Sequence, residues 1–286
     1  MQIKQIKKEI LDCLKRSNIS NPHLESDLII SHVSSFSRED VIKYDEKELS
    51  KVEIRNIRKI VKKRISGWPL AYLLGYKYFY NQKFLVNKHT LIPRPESEII
   101  VDHIIKQDFK KEKTTIIDVG TGSGCLIVSL AEALSHHKNN INFWASDISS
   151  KALQIAKKNA LNYNIKFFKG DLLKPMIGKI ENTNIIIIAN LPYLTNEEIK
   201  QSPSIKKEPR RALYGGSDGL RLYQKLTQDI KKIKKEINIT VYQEINDWQA
   251  EKLQKIIEKE LKNYTVKNET IKDLSDQKRL IVTKIN

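Results

Sequence analysis

The run Ile185–Ile188, inside Asn184-Ile-Ile-Ile-Ile-Ala-Asn-Leu-Pro-Tyr193, constrains the fold more than any other feature of the chain. Four consecutive β-branched residues leave no polar face, so they predict a strand buried on both sides, as in a parallel sheet covered by helices. The run stops at four residues of different character. Asn190 carries an amide that donates and accepts, Pro192 fixes its own φ and holds Leu191 extended, and Tyr193 adds an aromatic face. Ligands of open parallel sheets bind beyond the carboxyl ends of the strands. Asn190–Tyr193 is therefore expected to floor a site.

From Thr114 the pattern alternates strand and helix. Expected strands are Thr115–Val119, Ile141–Ser146, Ile165–Lys169, Asn184–Ala189, Ile237–Glu244, Tyr264–Glu269 and Leu280–Lys284. Expected helices are Gly124–His136, Ser149–Leu161, Leu220–Lys235 and Trp248–Lys262. This spacing argues an α/β fold with a doubly wound, mostly parallel sheet. Three strands around one helix at the end suggest an antiparallel strand at one edge.

Residues 1–74 read as a small helical bundle. Ile3, Ile6, Ile10 and Leu14 form one stripe; Leu24, Leu28, Ile29 and His32 a second; Ile54, Ile57, Ile60, Val61 and Ile65 a third that ends at Gly67. Asp40 is expected to cap a short helix and His32 to be packed. Trp68–Leu70 and Tyr72 look like docking residues between this bundle and the rest of the chain. Residues 75–92 predict a linking β-hairpin with Asn81-Gln82 at its turn. Pro95 suits the first turn of a helix over Ile99–Ile105, with Glu96 and Glu98 at its positive end. The third domain is then 93–286.

The formal net charge of +17 points to an anionic partner or to A/T-rich codon usage, since most of the basic residues are lysine. No apolar stretch is long enough to span a bilayer and the first residues lack a signal-peptide pattern, so the expected location is the cytoplasm, with no membrane partner. Cys13 and Cys125 have no metal-ligand spacing and are expected as buried free thiols; no metal is expected.

The chemistry concentrates in three places. Asp118-Val-Gly-Thr-Gly-Ser-Gly124 is a strand, a glycine loop and a helix start, which lets backbone approach a ligand closely and offers N–H groups to it. Gly120-Thr121-Gly122-Ser123-Gly124 does not follow the dinucleotide fingerprint, though glycine spacing alone leaves both a dinucleotide and the nucleoside cofactor of methyl transfer open. Asp147, at the end of the next strand, can accept both hydroxyls of a ribose. Asp171, followed by Leu172 after the third strand, can reach an exocyclic adenine amine. At Asn190 the side-chain oxygen, with the Leu191 carbonyl, can accept both hydrogens of a planar NH2 group, while Tyr193 packs on it. Acceptors so placed work by positioning and electrostatics.

These residues carry a resemblance. The chain resembles the class I S-adenosylmethionine-dependent methyltransferases, with their Rossmann-like fold. Within them it is similar to the bacterial peptide chain release factor glutamine methyltransferases, the HemK/PrmC family. The similarity spans nearly the whole chain and rests on Leu91–Glu98, Asp118–Gly124, Asn190–Tyr193 and Glu208–Gly219. It implies S-adenosylmethionine as cofactor and methylation of the N5 amide nitrogen of the glutamine in the Gly-Gly-Gln loop of class I release factors. Asp118, Gly120–Gly124, Asp147, Asp171, Leu172 and Asn190 would then hold the cofactor. Asn190, Leu191, Pro192 and Tyr193 would hold the glutamine, with Asn190, Pro192 and Tyr193 as the catalytic residues, and the helical bundle would recognise the protein substrate. A monomer is expected, and nucleic acid is allowed but not required. Two departures matter. Leu172 stands where the family often has an aromatic residue, and Leu191 replaces the first proline of Asn-Pro-Pro-Tyr. Asn-Leu-Pro-Tyr also resembles the tetrapeptide of ribosomal RNA adenine dimethyltransferases, so an adenine-N6 methyltransferase of RNA or DNA is the alternative. A basic RNA-binding or ribosome-associated module without activity is a second.

Overall fold

A computed structural model describes residues 1–109, 112–137, 140–181, 183–233 and 237–286. They divide into two compact units, Met1–Gly75 with Pro203–Lys207, and Tyr76–Ser202 with Glu208–Asn286.

The first unit is helical: α1 (Ile3–Arg16), α2 (Pro22–Ser34), α3 (Arg38–Lys43), α4 (Lys51–Ile65) and α5 (Leu70–Leu74). The α1 stripe is fully buried, as its spacing requires. Helix α2 buries only part of the expected stripe. Ile29 is inside and Leu28 half-buried, but Ser26, Asp27 and Ile30 also point inward, while Leu24 and His32 are exposed. The reason is electrostatic. Lys7 lies 2.6 Å from Asp27 and compensates a carboxylate on the buried face, so α2 can turn its Ile29–Ile30 pair into the core. Asp40 does not itself cap α3. The cap is Ser37, whose hydroxyl accepts from Asp40 N at 3.0 Å, and Asp40 completes the reciprocal box. Gly67, at φ +89, follows the end of α4 as expected. Cys13 is exposed rather than buried, because it lies on the outer face of α1.

The second unit begins with the hairpin β1 (Tyr76–Phe79) and β2 (Gln82–Leu85). Its turn is Tyr80-Asn81, one residue earlier than expected; both have positive φ, as a two-residue primed turn demands. Glu98 accepts from Tyr80 N at 2.8 Å and so anchors the hairpin. The order then runs α6 (Glu98–Ile104), β3 (Thr114–Val119), α7 (Cys125–Ala133), β4 (Ile141–Asp147), α8 (Ser150–Asn159), β5 (Ile165–Lys169), β6 (Asn184–Ala189), α9 (Asn196–Gln201), α10 (Arg221–Ile230), β7 (Asn238–Glu244), α11 (Ala250–Glu260), β8 (Val266–Lys272) and β9 (Lys278–Ile285). The expected helix through Lys235 stops at Ile230; Lys234 and Lys235 lie outside the described residues.

The sheet order is β5-β4-β3-β6-β7-β9-β8. The antiparallel strand is present but not at the edge. β9 lies antiparallel between β7 and β8, and β8 is the edge. The isoleucine run of β6 behaves as its composition dictates. Ile185 and Ile187 enter the core beneath α10 and α11, while Ile186 and Ile188 enter the opposite core with α6 and α7. Each buried isoleucine contributes roughly 1.5–3 kcal/mol. Winding reverses between β3 and β6, so the loops leaving their carboxyl ends stand side by side over one crevice. Among the described residues, no helix is long and apolar enough to cross a membrane.

Candidate active site

A cleft of about 1120 Å³ opens at that crevice. Its first wall is the loop after β3. Gly120 N and Thr121 N both donate to the Ser146 carbonyl, at 2.8 and 2.9 Å. Gly122 N donates to Asp147 Oδ2 at 2.9 Å. These three N–H groups, expected to face a ligand, are therefore engaged within the protein. The loop serves by its shape and by the carboxylates behind it. Gly124, also expected at the ligand, does not line the cleft. It sits at φ +82, where a Cβ would lie 3.2 Å from that of Ala156, so its lack of a side chain lets α7 start close against α8.

Asp118 lines the cleft but is almost wholly buried, and Thr121 Oγ1 donates to its Oδ2 at 2.6 Å. Burial pushes its carboxyl up to about 7, against the pull of the Thr121 hydroxyl. Asp147 accepts from Ser149 N at 2.7 Å as well as from Gly122. Burial raises its pKa too, opposed by those two N–H groups and by the charge of Arg211. Asp171 lines the cleft with Oδ2 2.7 Å from Lys225 and 3.1 Å from Lys174. Burial works to raise it, but the two lysines hold it below the ordinary carboxylate range. Leu172 adopts a left-handed φ of +51, costly for a leucine; its carbonyl accepts from Ser146 Oγ at 2.7 Å. Its side chain gives the cleft an aliphatic surface where an aromatic would stack.

The second wall is Asn190-Leu191-Pro192, and all three line the cleft. Asn190 Nδ2 donates to Ser97 Oγ at 2.9 Å, which leaves its Oδ1 as the free end of the amide. The Leu191 carbonyl lies 3.4 Å from the buried Tyr223 hydroxyl, and a carbonyl has a second lone pair to offer. Tyr193, expected to face the substrate, does not line the cleft. Its hydroxyl donates to buried Glu244 at 3.2 Å and its carbonyl accepts from Gln249 Nε2 at 2.9 Å, which together turn it into the core beneath.

Residues 208–219 strap this wall in place. Glu208 accepts from Ile92 N at 3.0 Å and from Arg94 at 2.5 Å. Leu194, in the loop after β6, exchanges backbone bonds with the strap: Leu194 N donates to Leu213 O, and Gly215 N to Leu194 O, both at 2.9 Å. Arg210 and Arg221 stack on the Tyr214 ring at the cleft margin.

The N-terminal residues 5–75 match the PrmC N-terminal domain, and residues 110–283 match a methyltransferase domain. The release factor glutamine methyltransferase of Bacillus subtilis is 33% identical over 269 residues, covering 91% of each chain. The chain belongs to the release factor glutamine methyltransferase family. The enzyme of that name from Dictyoglomus turgidum is 33% identical over 279 residues, covering 94% of this chain and 93% of its own. Among solved structures, the hMettl16 catalytic domain in complex with MAT2A 3′UTR hairpin 6 is similar at a TM-score of 0.52 and 16% identity. It covers 83% of this chain and 82% of that one, a likeness of fold alone.

As a member of this methyltransferase family the chain uses S-adenosylmethionine. The cleft suits it: there is room for a nucleoside, carboxylates stand at the ends of β4 and β5, and a side chain at Gly120 would begin 3.0 Å from Leu191. Four residues of the site received no role from sequence: Ser97, Tyr223, Glu244 and Gln249. Ser97 falls within Leu91–Glu98 but far in the chain from Asn190, which it holds, Tyr223 lies far from the loop it supports, and Glu244 reads only as the last residue of a strand.

Proposed function

We propose that this chain transfers a methyl group from S-adenosylmethionine to the N5 amide nitrogen of the glutamine in the Gly-Gly-Gln loop of class I release factors. The observation that carries this reading is the Asn190 amide, pinned by Ser97 so that Oδ1 is its free acceptor, beside a nucleoside-sized cleft. In it Asp147 accepts the ribose hydroxyls, Asp171 takes the adenine amine, and the glycine loop with Leu172 encloses the nucleoside. When bound, the cofactor supplies a methyl group activated by its sulfonium. Asn190 Oδ1 and the Leu191 carbonyl accept the two N–H bonds of the substrate amide, hold its nitrogen in line and favour positive charge there. Such charge acidifies the nitrogen, so the proton leaves to solvent without a strong base. Pro192 keeps Leu191 extended. Tyr193 acts from behind, as a prop for this loop.

The helical residues 1–74 recognise the protein substrate in this reading, and the protein works as a cytoplasmic monomer. The test is incubation with labelled S-adenosylmethionine and either purified release factor or RNA. Label on the release factor glutamine is expected. Label on RNA adenine with none on protein would replace this reading with the adenine-N6 alternative.

A further inference from the structure

Ser146 lies next to the end of β4 and is 0% exposed, and only its carbonyl has been given a part so far. A serine stands out there, paired across the sheet with Val119 of β3 and Phe168 of β5. A hydroxyl buried without a partner is costly, so the bond it makes matters. Ser146 Oγ donates to the Leu172 carbonyl at 2.7 Å. Its own carbonyl accepts from Gly120 N and Thr121 N, at 2.8 and 2.9 Å. One residue thus holds two margins of the cleft: the glycine loop by its backbone, Leu172 by its side chain.

Leu172 is where this hold is needed. Its φ of +51 is a conformation that leucine adopts only at a cost and glycine adopts freely. Released, the residue would return to negative φ, which redirects its side chain. The loop is anchored on either side of it. Gly170 N donates to the Asp147 carbonyl at 3.1 Å, and Leu173, the next residue, is fully buried. Between those anchors the Ser146 bond holds the Leu172 carbonyl. So held, Leu172 is 6% exposed, belongs to the core cluster of Trp144 and Leu173, and also lines the cleft with Asp171.

We propose that Ser146 is a positioning residue for the cofactor: through its bond to the Leu172 carbonyl, its hydroxyl holds the left-handed turn that keeps the Leu172 side chain against the nucleoside. The inference rests on reading this end of the cleft as the nucleoside site. Ser146 itself touches no ligand. Without its hydroxyl the turn relaxes, the leucine leaves the cleft wall and the nucleoside loses an apolar face. A leucine in this turn therefore needs the serine. A glycine in the same place does not, since it has neither strain nor a side chain to hold.

The experiment is calorimetric titration of S-adenosylhomocysteine, and of 5′-methylthioadenosine, which lacks the amino-acid end. The proteins are the unmodified chain, S146A, L172G and the S146A/L172G pair, with thermal melting as the check on folding. S146A should bind both ligands ~5–30-fold more weakly, by a common factor; losses of this size follow when a buried acceptor loses its partner. L172G should also bind both more weakly. Because Ser146 acts through the Leu172 side chain, adding S146A to L172G should weaken binding by less than about threefold more. Unchanged affinity in folded S146A, a loss confined to S-adenosylhomocysteine, or losses that multiply in the pair overturns the proposal. Should S146A not fold, S146T and S146V decide. They are alike in shape and only the threonine keeps the hydroxyl, so S146T should bind the more tightly, and equal affinities overturn the proposal. If the unmodified protein binds neither ligand, the nucleoside reading of the cleft has failed, and the proposal falls with it.

Discussion

Gly219→Ala tests whether the strap holds the catalytic loop. Gly219 has a φ of +69, and a Cβ built on it would lie 2.0 Å from the Tyr193 carbonyl oxygen and 2.2 Å from Gln249 Nε2. Carbon and oxygen ordinarily approach to about 3.3 Å, so the carbonyl must retreat by roughly 1.3 Å. The bond between those two atoms, 2.9 Å long, breaks as they part. Left-handed strain of about 1 kcal/mol, a lost hydrogen bond of about 1 kcal/mol and overpacking of about 1–3 kcal/mol suggest a loss of roughly 3–5 kcal/mol. In a unit of this size that lowers the melting temperature by about 6–20 °C. If the loop yields instead, Asn190 moves with it, and a displacement near 1 Å costs about a hundredfold in rate. Two controls separate the causes. Gly178→Ala meets nothing within 4 Å and should change nothing. Gly67→Ala also meets nothing but has a φ of +89, so it should show only the strain, about 1 kcal/mol. The assays are thermal melting and single-turnover methylation at saturating cofactor. A Gly219→Ala protein with the parent's melting temperature and a rate within threefold would refute the reasoning.

Asn190→Ala should lower single-turnover methylation by roughly 10²–10³-fold with cofactor affinity retained, since it removes the acceptor and leaves the reacting nitrogen mobile; near-normal chemistry would remove Asn190 from the mechanism. Asp147→Ala should weaken cofactor binding by ~1–3 kcal/mol in calorimetry, because Gly122 N and Ser149 N lose their acceptor along with the ribose; unchanged affinity would exclude this carboxylate. Asp118 gives a pH dependence with a defined sign. Its folded pKa of about 7 lies above the ordinary aspartate value of 3.8, so the folded state holds the proton longer. Stability from this group is complete below the unfolded pKa and falls as pH rises to about 7, by roughly 4 kcal/mol if the full shift is realised. Urea unfolding between pH 4 and 8 should show this decline in the parent and a flatter curve in Asp118→Asn; parallel curves would contradict it.

The sequence carried the parts of the fold that depend on one-dimensional patterns. Ile185–Ile188 announced a two-sided strand, and its alternate residues do enter two cores. The spacing from Gly120 to Gly124 announced a loop at the carboxyl edge of the sheet. Other features were invisible because they depend on partners distant in the chain. The inward face of α2 is readable only once Lys7 is known to stand beside Asp27. The place of β9 inside the sheet comes from pairing, which composition does not encode. At the site, Asn190 was legible as an acceptor, but its orientation is set by Ser97, 93 positions earlier. Tyr193 reads as a ring that packs on the substrate amide; only Glu244 and Gln249 explain why it turns inward.

The position of β9 bears on the order in which the molecule is completed. Synthesis delivers β8 before β9, yet among the described residues β8 pairs only with β9, and β9 alone joins it to β7. A growing chain therefore carries an unpaired strand until the final hairpin closes, the kind of exposed edge that invites misassembly. That hairpin is joined by a short turn and can form locally before it docks. Its docking also brings Arg279, the positive charge that draws Glu244 toward ionisation, and pairs Ile245 N with the Arg279 carbonyl at 2.9 Å. Glu244, which pairs with Leu280 of β9 and accepts from the Tyr193 hydroxyl, is thus braced only once this hairpin docks, so the glycine loop can be in place before the wall that carries Asn190 is fully supported.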